Sequence, residues 1–451
     1  MSTPVSGSNR VLIIVQNLPV PLDRRVWLEA QALRAAGYEV AVICPKGPGD
    51  PARQEIDGVS IYKYTPAPEA RGVAGFAWEF AYSWARTAAL SVQAWREGHF
   101  QVIQACNPPD TYWLLARLWA VRGVTFVFDQ HDLNPELFIS RFGPPTTAAA
   151  RMQYAGLKWL ERQTYATAAR VISTNESYRR IALERGGLGA DDVTVVRSGP
   201  DTRRMRPIAP AGRGWRGGDS LLVYLGIMGP QDNVNVLLDV MQELRQRGRN
   251  DVRMALLGFG DCLEDLRAEA TTRGLDPWVE FTGRVGPTDI AEYLSSADVG
   301  MSPDLKTPLN DASTMNKTME YMAYGLPSVS FDLVETRVSG GDCVVYVPDG
   351  DVAAFADAVE SLLDDPARRT SLGRLARERV AEVLDWRPQA EAYVSVFDRL
   401  LGRRRSAGVE LVAPVPPSGQ AYIDLRDPRE LDRFIETRNR PERSRAEDSS
   451  D

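Results

Sequence analysis

The sequence predicts an α/β protein built from two doubly wound parallel sheets. Short apolar runs rich in β-branched residues alternate with helical segments in the first half, and a second alternation begins near residue 221. Such βαβα alternation favours parallel strands joined by crossover helices. Between the halves, Ser198–Ser220 is rich in Gly, Pro and Arg, which is typical of a domain boundary.

The first half begins with a clear βα unit. Residues 11–15 form a short apolar run that suits a buried strand, Asp23 is placed to cap a helix, and Gly37 is placed to end it. The strands of this half are predicted at 11–15, 39–44, 59–64, 101–105, 124–128, 170–173 and 193–196. The helices are predicted at 24–36, 75–97, 109–121, 148–168 and 177–185.

The second half repeats the pattern and is followed by terminal segments. Its strands are predicted near 221–226, 252–257, 279–282, 298–302, 328–331 and 344–347. The predicted domains are an N-terminal Rossmann-like domain at 1–200, a C-terminal one at 201–385, a helix at 386–405 and a polar, partly disordered tail at 406–451. A short strand or helix is possible in the tail around "AYIDLRDPRELDRFIE". Because open α/β sheets bind ligands at the carboxyl ends of their strands, two such domains predict a ligand site in a cleft.

Composition excludes several classes of protein. The chain of 451 residues has a formal net charge of −7, which argues against a nucleic-acid binder that relies on overall basicity. Four scattered cysteines and two histidines predict no metal site of the zinc kind and a reducing location. No signal-peptide core and no apolar run of about 18 residues are present. We expect a cytoplasmic protein, located either free in the cytoplasm or at the inner face of the membrane.

The stretch Leu305–Asp332 carries the most chemistry. A polar loop leads into a helix whose first N–H groups have no intrahelical partner, which suits an anionic ligand. Lys317 and Glu320 are three residues apart and share a helix face. Lys317 could meet phosphate oxygens and Glu320 could bind a ribose. The alternative is an ordinary surface ion pair, which contributes little.

Two arginines, Arg24 and Arg25, stand at the start of the first helix, where the helix dipole disfavours cations. An anion bound at that helix end would satisfy both the cations and the free N–H groups. The alternative is that they pair with Asp23, Glu29 or the opposite domain. With Asn17, they are the predicted acceptor- or phosphate-binding residues.

Seven segments in order resemble the retaining glycosyltransferases of family 4, the group 1 glycosyltransferases. They are "NLPVPLDRRVWLEAQALRAAGYEVAVICP", "DQHDLNPE", "YLGIMGPQDNVNVLLDVM", "LLGFGD", "FTGRV", "SSADVGMSPD" and "EYMAYGLPSV". The resemblance implies the α/β GT-B fold, with two facing Rossmann-like domains and an inter-domain cleft. It also implies transfer of a sugar from a nucleoside diphosphate sugar to a hydroxyl of a saccharide, lipid-linked saccharide or small molecule, with retention of configuration, as in polysaccharide biosynthesis.

The resemblance also assigns roles to residues, and the chain departs from it at two places. Glu320 is the second glutamate of the family's E-x7-E motif, which holds the ribose, but Ala312 replaces the first glutamate, and Asp311, one position earlier, is only a possible substitute. The family's arginine and lysine that clamp the diphosphate are replaced by Ile227 and Asp232. Lys317, Arg284 or a metal ion is therefore expected to neutralise the diphosphate. The predicted donor-binding residues are Gly229, Arg284, Asp311, Ser313, Thr314, Asn316, Lys317 and Glu320.

His131 in "VFDQHDLNPE" follows a predicted strand. In the family a histidine there contacts the donor sugar, so His131, Lys317 and Glu320 form the predicted catalytic set. A packed or surface histidine is the alternative. The neighbouring carboxylates Asp129, Asp132 and Glu136 form only a loose metal-binding pattern, and we predict no metal site and no required cofactor, with the metal dependence of the reaction open.

The alternatives to a transferase come from different classes. The missing glutamate and clamp residues leave a catalytically idle scaffold protein of glycan assembly as a possible function. A sugar-nucleotide epimerase would need more histidines, and an NAD enzyme would need a glycine-rich turn that "NLPVPLDRR" lacks. The aromatic segment Gly75–Phe100 suits either core packing or contact with a membrane or lipid-linked acceptor.

Overall fold

The computed structural model describes residues 9–68, 72–208, 219–404, 409, 411, 429–431 and 433–434. It divides into two compact units. Unit 1 is Met1–Ser198 with Arg387–Val412, and unit 2 is Gly199–Trp386 with Ala413–Asp451. Most of the predicted 406–451 tail lies outside the described residues, including most of its candidate strand or helix.

Unit 1 contains an eight-stranded sheet of order β3-β4-β2-β1-β5-β6-β7-β8. Its strands are β1 (Arg10–Ile14), β2 (Glu39–Pro45), β3 (Arg53–Ile56), β4 (Val59–Tyr64), β5 (Val102–Cys106), β6 (Thr125–Gln130), β7 (Arg170–Ser173) and β8 (Val193–Val195). Its helices are α1 (Arg24–Ala35), α2 (Gly72–Glu97), α3 (Trp113–Ala120), α4 (Asn134–Phe142), α5 (Ala148–Thr167) and α6 (Glu176–Gly186). The seven strands predicted for this half are all confirmed.

Strand β3 is the one strand of this sheet that sequence patterning missed. It pairs antiparallel with β4 at the sheet edge, and its residues Arg53, Gln54 and Glu55 are too polar to read as a buried strand. A signal was present in the turn, where Asp57 and Gly58 have φ values of 49° and 76°. An Asp-Gly pair with positive φ is the preferred two-residue hairpin turn.

Helix α1 begins and ends as predicted, which fixes the position of its first turn. The Asp23 carboxylate accepts a hydrogen bond from the Val26 N–H at 3.1 Å, and Gly37 follows the helix with φ of 80°. A residue other than glycine is strained at such a φ. The first turn of α1 therefore stands beside the carboxyl end of β1.

Unit 2 contains a six-stranded, all-parallel sheet of order β11-β10-β9-β12-β13-β14. Its strands are β9 (Ser220–Ile227), β10 (Val252–Phe259), β11 (Val279–Gly283), β12 (Val299–Ser302), β13 (Ser328–Phe331) and β14 (Val344–Val347). Its helices are α7 (Asn235–Gln246), α8 (Leu263–Thr272), α9 (Pro287–Ser296), α10 (Pro308–Ala312), α11 (Asn316–Ala323), α12 (Val334–Gly340), α13 (Val352–Asp364) and α14 (Pro366–Arg379). All six predicted strands are confirmed.

The carboxyl ends of β9 and β10 approach closely at two glycines. A Cβ on Gly258 would lie 1.8 Å from the Gly226 carbonyl oxygen, and one on Gly260 would lie 2.6 Å from the Met228 carbonyl oxygen. Both glycines also have φ values above 150°. Only glycine fits there, so the segment "GFG" keeps the backbones of both strand ends together.

Helix α15 (Trp386–Leu400) joins unit 1 from Arg387 onwards. The Tyr393 hydroxyl donates to the Gln104 side chain at 2.5 Å, and the Tyr38 hydroxyl donates to Asp398 at 2.6 Å. Because these groups are buried, α15 forms part of the core of unit 1. In the described ranges, none of the helices combines the length and apolar character needed to cross a membrane.

Candidate functional site

Lys317 and Asp304 form a buried ion pair at the carboxyl edge of the unit 2 sheet. Asp304 follows β12 by two residues, and its Oδ1 atom lies 2.6 Å from Lys317 Nζ in the first turn of α11. The ammonium also lies 5.4 Å from the centre of the Tyr224 ring on β9. Lys317 and Glu320 are both more than 90% buried, so the alternative of an exposed surface pair between them is wrong.

Two buried side-chain oxygens in the loops after β9 and β12 have no hydrogen-bond partner among the described residues. They are Asp304 Oδ2 and Gln231 Oε1. Gln231 lies in the loop after β9, and the Asn310 side chain ties that loop to the loop after β12 by donating to the Gln231 carbonyl at 3.1 Å and to the Leu305 carbonyl at 2.9 Å. Because buried polar atoms normally have a partner, these two oxygens mark a place where a polar ligand group would be accommodated.

The other predicted donor-binding residues occupy different surroundings. Asp311 accepts a hydrogen bond from the Val334 N–H at 2.8 Å, so its carboxylate is engaged at the start of α12. The Gly229 N–H donates to the Asp232 carboxylate at 2.9 Å. Asp232, which stands where the family has a lysine, is thus the hydrogen-bond partner of this amide. Arg284 is exposed after β11, with its guanidinium 5.5 Å from the Phe259 ring centre.

The remaining three predicted donor-binding residues lie between α10 and α11 or at the start of α11. The Ser313 hydroxyl donates to the Leu309 carbonyl at 2.7 Å. Thr314 is half-buried, and Asn316 is exposed at the first position of α11. Their roles in donor binding stay predictions.

In unit 1, four charged or titratable side chains meet at the carboxyl ends of β1, β5 and β6. The Arg25 guanidinium lies 2.9 Å from Asp129 and 3.0 Å from Glu29. His131 Nε2 lies 2.7 Å from Asp129 Oδ2 and 3.1 Å from Arg25 Nε. Gln104 donates to both carboxylates, at 2.8 Å to Glu29 and 3.0 Å to Asp129.

Burial and charge shift the pKa values of the two carboxylates of this cluster in opposite directions. Although burial opposes it, the charge of Arg25 and then that of His131 holds the pKa of Asp129 well below its usual range. Burial and the adjacent Asp129 raise the pKa of Glu29 well above its usual value, which Arg25 only partly offsets. Arg25 therefore favours the ionised form of Asp129, whereas burial beside Asp129 disfavours the ionised form of Glu29.

This arrangement explains why an arginine stands at the start of α1. Its side chain is 9% exposed, and its N–H groups also reach the Val196 carbonyl and the Ser198 hydroxyl, both at 2.9 Å. The pairing with Glu29, the alternative to anion binding, is thus present, together with an unpredicted pairing with Asp129. Buried carboxylates contact its guanidinium, so a phosphate would have to compete with them, and the phosphate-binding role of Arg25 stays a prediction. Asn17 and Arg24 are exposed, and their predicted ligand role stays untested.

One group of possible metal ligands occurs among the described residues: Glu29, Cys106, Asp129 and His131 place a ligand atom each within 4.8 Å of one another. The Arg25 guanidinium already supplies the positive charge at this place. Burial and the neighbouring Asp129 and Glu29 also raise the pKa of the Cys106 thiol, which disfavours the thiolate that a metal needs. The residues do not favour a metal there.

Sequence reasoning missed several members of both sites. Asp304 had a signal, because it lies just beyond a predicted strand in "MSPD", where parallel sheets place ligand-binding side chains. Gln104 and Tyr393 had none, because they are 289 residues apart and meet only through the return of α15 to unit 1.

Two family models match most of the chain. Residues 22–199 match the glycosyl transferase 4-like domain, and residues 219–365 match the glycosyl transferases group 1 model. A glycogen synthase of Mycobacterium tuberculosis is 27% identical over 398 residues, which cover 83% of this chain and 90% of that protein.

Solved structures show the same fold. Sucrose-phosphate synthase of Thermosynechococcus elongatus superposes with a TM-score of 0.69 at 18% identity, over 87% of this chain and 99% of that one. HepE of Anabaena, solved in complex with UDP-glucose, gives a TM-score of 0.63 at 15% identity, over 86% of this chain and 99% of that one. The chain therefore belongs to the group 1 glycosyltransferases and has their GT-B fold.

Proposed function

We propose that this glycosyltransferase moves a sugar, with retention of configuration, from a nucleoside diphosphate sugar to a hydroxyl of a saccharide, lipid-linked saccharide or small molecule. The observation that carries the proposal is the buried Lys317 ammonium in the first turn of α11, which Asp304 Oδ1 holds at 2.6 Å. A cation at the start of a helix suits a diphosphate. The complex of HepE with UDP-glucose supports the donor class.

The chemistry required of these residues is the stabilisation of a leaving group. The bond between the anomeric carbon and the diphosphate oxygen breaks, a bond to the acceptor oxygen forms on the same face, and the acceptor proton passes to the departing phosphate. Lys317 would neutralise the charge that develops on that phosphate, while Asp304 holds the ammonium in place. Glu320, one turn further along α11, would accept hydrogen bonds from the ribose.

A panel of UDP, GDP, dTDP and ADP with their sugar conjugates is the direct test of the donor site. One nucleotide is expected to raise the melting temperature of the wild-type protein, because a ligand at 100 times its dissociation constant stabilises the native state by about 2.7 kcal/mol. Glu320→Ala should weaken that nucleotide roughly 10- to 150-fold through the loss of hydrogen bonds to a charged acceptor.

The control is Glu264→Ala, which removes an exposed glutamate on another helix of unit 2 and should leave the shift unchanged. If no nucleotide stabilises the protein, with or without a divalent metal, the donor proposal fails and the scaffold function is favoured. If a nucleotide binds equally well to Glu320→Ala, the site is elsewhere.

His131 provides a second test, because its proposed contact is with the sugar and not with the nucleotide. His131→Ala is expected to lower kcat by roughly 10- to 100-fold and to weaken the nucleotide sugar, but to leave the affinity for the free nucleoside diphosphate unchanged. Titration calorimetry with both ligands measures the difference. Equal losses for both ligands would contradict a sugar contact. The anomeric configuration of the product, followed by NMR, decides between retention and inversion.

A further inference from the structure

Helices α3 and α5 form one continuous outer face of unit 1. The rings of Trp113 on α3 and Trp159 on α5 lie 5.7 Å apart, edge to face. Arg117 stacks over Trp113 at 4.7 Å and donates to Gln163 and Thr167 of α5 at 3.2 and 3.1 Å. The sequence alone does not show that the two helices lie side by side, because 27 residues separate them.

Several large apolar side chains of this face are exposed to solvent. Met152 is 73% exposed, Trp159 is 53% exposed, and Leu118 is 56% exposed. Met152 and Trp159 are seven residues apart and so lie on one side of α5, while Leu114, Leu118 and Val121 repeat with a similar helical spacing along and just beyond α3. Large exposed apolar side chains grouped on two adjacent helices are typical of an interaction surface.

A row of cations runs beside the apolar row. Arg151, Lys158 and Arg162 are exposed and are spaced by seven and four residues, which places them on one side of α5. Along 113–124 and 148–167, both fully described, the single acidic residue is Glu161, and it is buried against Arg185. The face is therefore basic, although the chain has a net charge of −7.

We propose that this face, defined by Leu118, Met152, Trp159, Arg151, Lys158 and Arg162, binds the surface of an anionic lipid bilayer. A basic row along an apolar row on the same helix is the pattern of an interfacial helix, whose apolar side enters the headgroup region while its cations meet lipid phosphates. The aromatic segment of α2 was the membrane candidate by sequence, but its side chains contribute substantially to the core of unit 1.

Sedimentation of the full chain with vesicles tests this surface. The protein should bind vesicles of phosphatidylcholine with phosphatidylglycerol, bind weakly to phosphatidylcholine alone, and dissociate in part at high salt. Each cation near an anionic membrane raises partitioning about five-fold. Arg151→Glu with Lys158→Glu should therefore reduce binding by at least about 25-fold. Met152→Ser with Leu118→Ser should abolish the binding that persists at high salt.

The matched control is Arg180→Glu with Arg404→Glu, which makes the same change in net charge at exposed positions on α6 and beyond α15. It should reduce binding by less than about three-fold, and the melting curves of all variants should match the wild type. Equal losses in the control and in the surface variants would overturn the proposal, as would failure of the wild type to bind anionic vesicles. So would a dimer that the Met152 and Leu118 changes dissociate, since the face would then bind a second copy.

Discussion

Replacing Arg25 with alanine is expected to lower the free energy of unfolding by about 3–5 kcal/mol at neutral pH. The substitution removes the cation that lies 2.9 Å from Asp129 and 3.0 Å from Glu29. Both carboxylates are fully buried, so neither can recover its hydration. Breaking a buried ion pair from one side leaves the other charge uncompensated, which is the costly case. Urea unfolding followed by circular dichroism measures the loss.

The loss of stability should shrink as the pH falls. In the wild type the pKa of Asp129 is held below its usual range, so its contribution to stability is present at neutral pH and is lost only in strong acid. Without Arg25 the largest charge that opposes the effect of burial is gone, and we expect the pKa of Asp129 to rise above its unfolded value. The variant then loses stability as the pH rises from the unfolded pKa of Asp129 to its raised pKa in the folded state. The difference between the two proteins should therefore be smaller at about pH 5 than at neutral pH.

Arg24→Ala is the matched control for this experiment. Arg24 occupies the adjacent position of the same first turn, but its side chain is exposed, and we expect a change of less than about 0.5 kcal/mol. A loss in Arg25→Ala that equals that of the control would show that the buried cluster does not depend on the cation. An unchanged loss at acidic pH would contradict the assignment of the charge to Asp129.

The strands could be predicted from sequence because their patterns are local. The predicted strands at 59–64 and 328–331, where apolar and polar residues are mixed, match β4 and β13 residue for residue. The polar strand β3 was missed because an edge strand need not be apolar, and its evidence lay in the turn at Asp57 and Gly58.

The sites were less accessible to sequence because their partners come from distant segments. Patterning singled out Arg25, His131, Lys317 and Glu320, each beside the carboxyl end of a strand. It could not find the partners that determine their chemistry. Arg25 meets Asp129 from 104 residues away, and this contact places an expected anion-binding residue at the centre of a buried ion cluster.

Lys317→Met is expected to lower kcat/KM by roughly 10²–10³-fold, the usual effect of removing one preorganised charge contact to a transition state. The proposed diphosphate develops charge as the sugar leaves, and the positions of the family's clamp hold Ile227 and Asp232 instead of cations. Lys317 is then the buried cation of this site among the described residues. Methionine keeps the unbranched shape of the side chain without its charge. Steady-state kinetics with the donor identified by the nucleotide panel measures the effect.

The substitution also leaves Asp304 buried without its partner, so a loss of folding must be separated from a loss of chemistry. Asp304→Asn keeps the ammonium and removes the opposing carboxylate charge, which leaves Lys317 more positive toward a diphosphate. It should therefore bind the nucleoside diphosphate at least as tightly as the wild type, even though both variants lose stability. If Asp304→Asn loses nucleotide affinity as much as Lys317→Met while both remain folded, the pair acts as a structural unit and the diphosphate is neutralised elsewhere. Arg284, exposed after β11, would then be the next residue to replace.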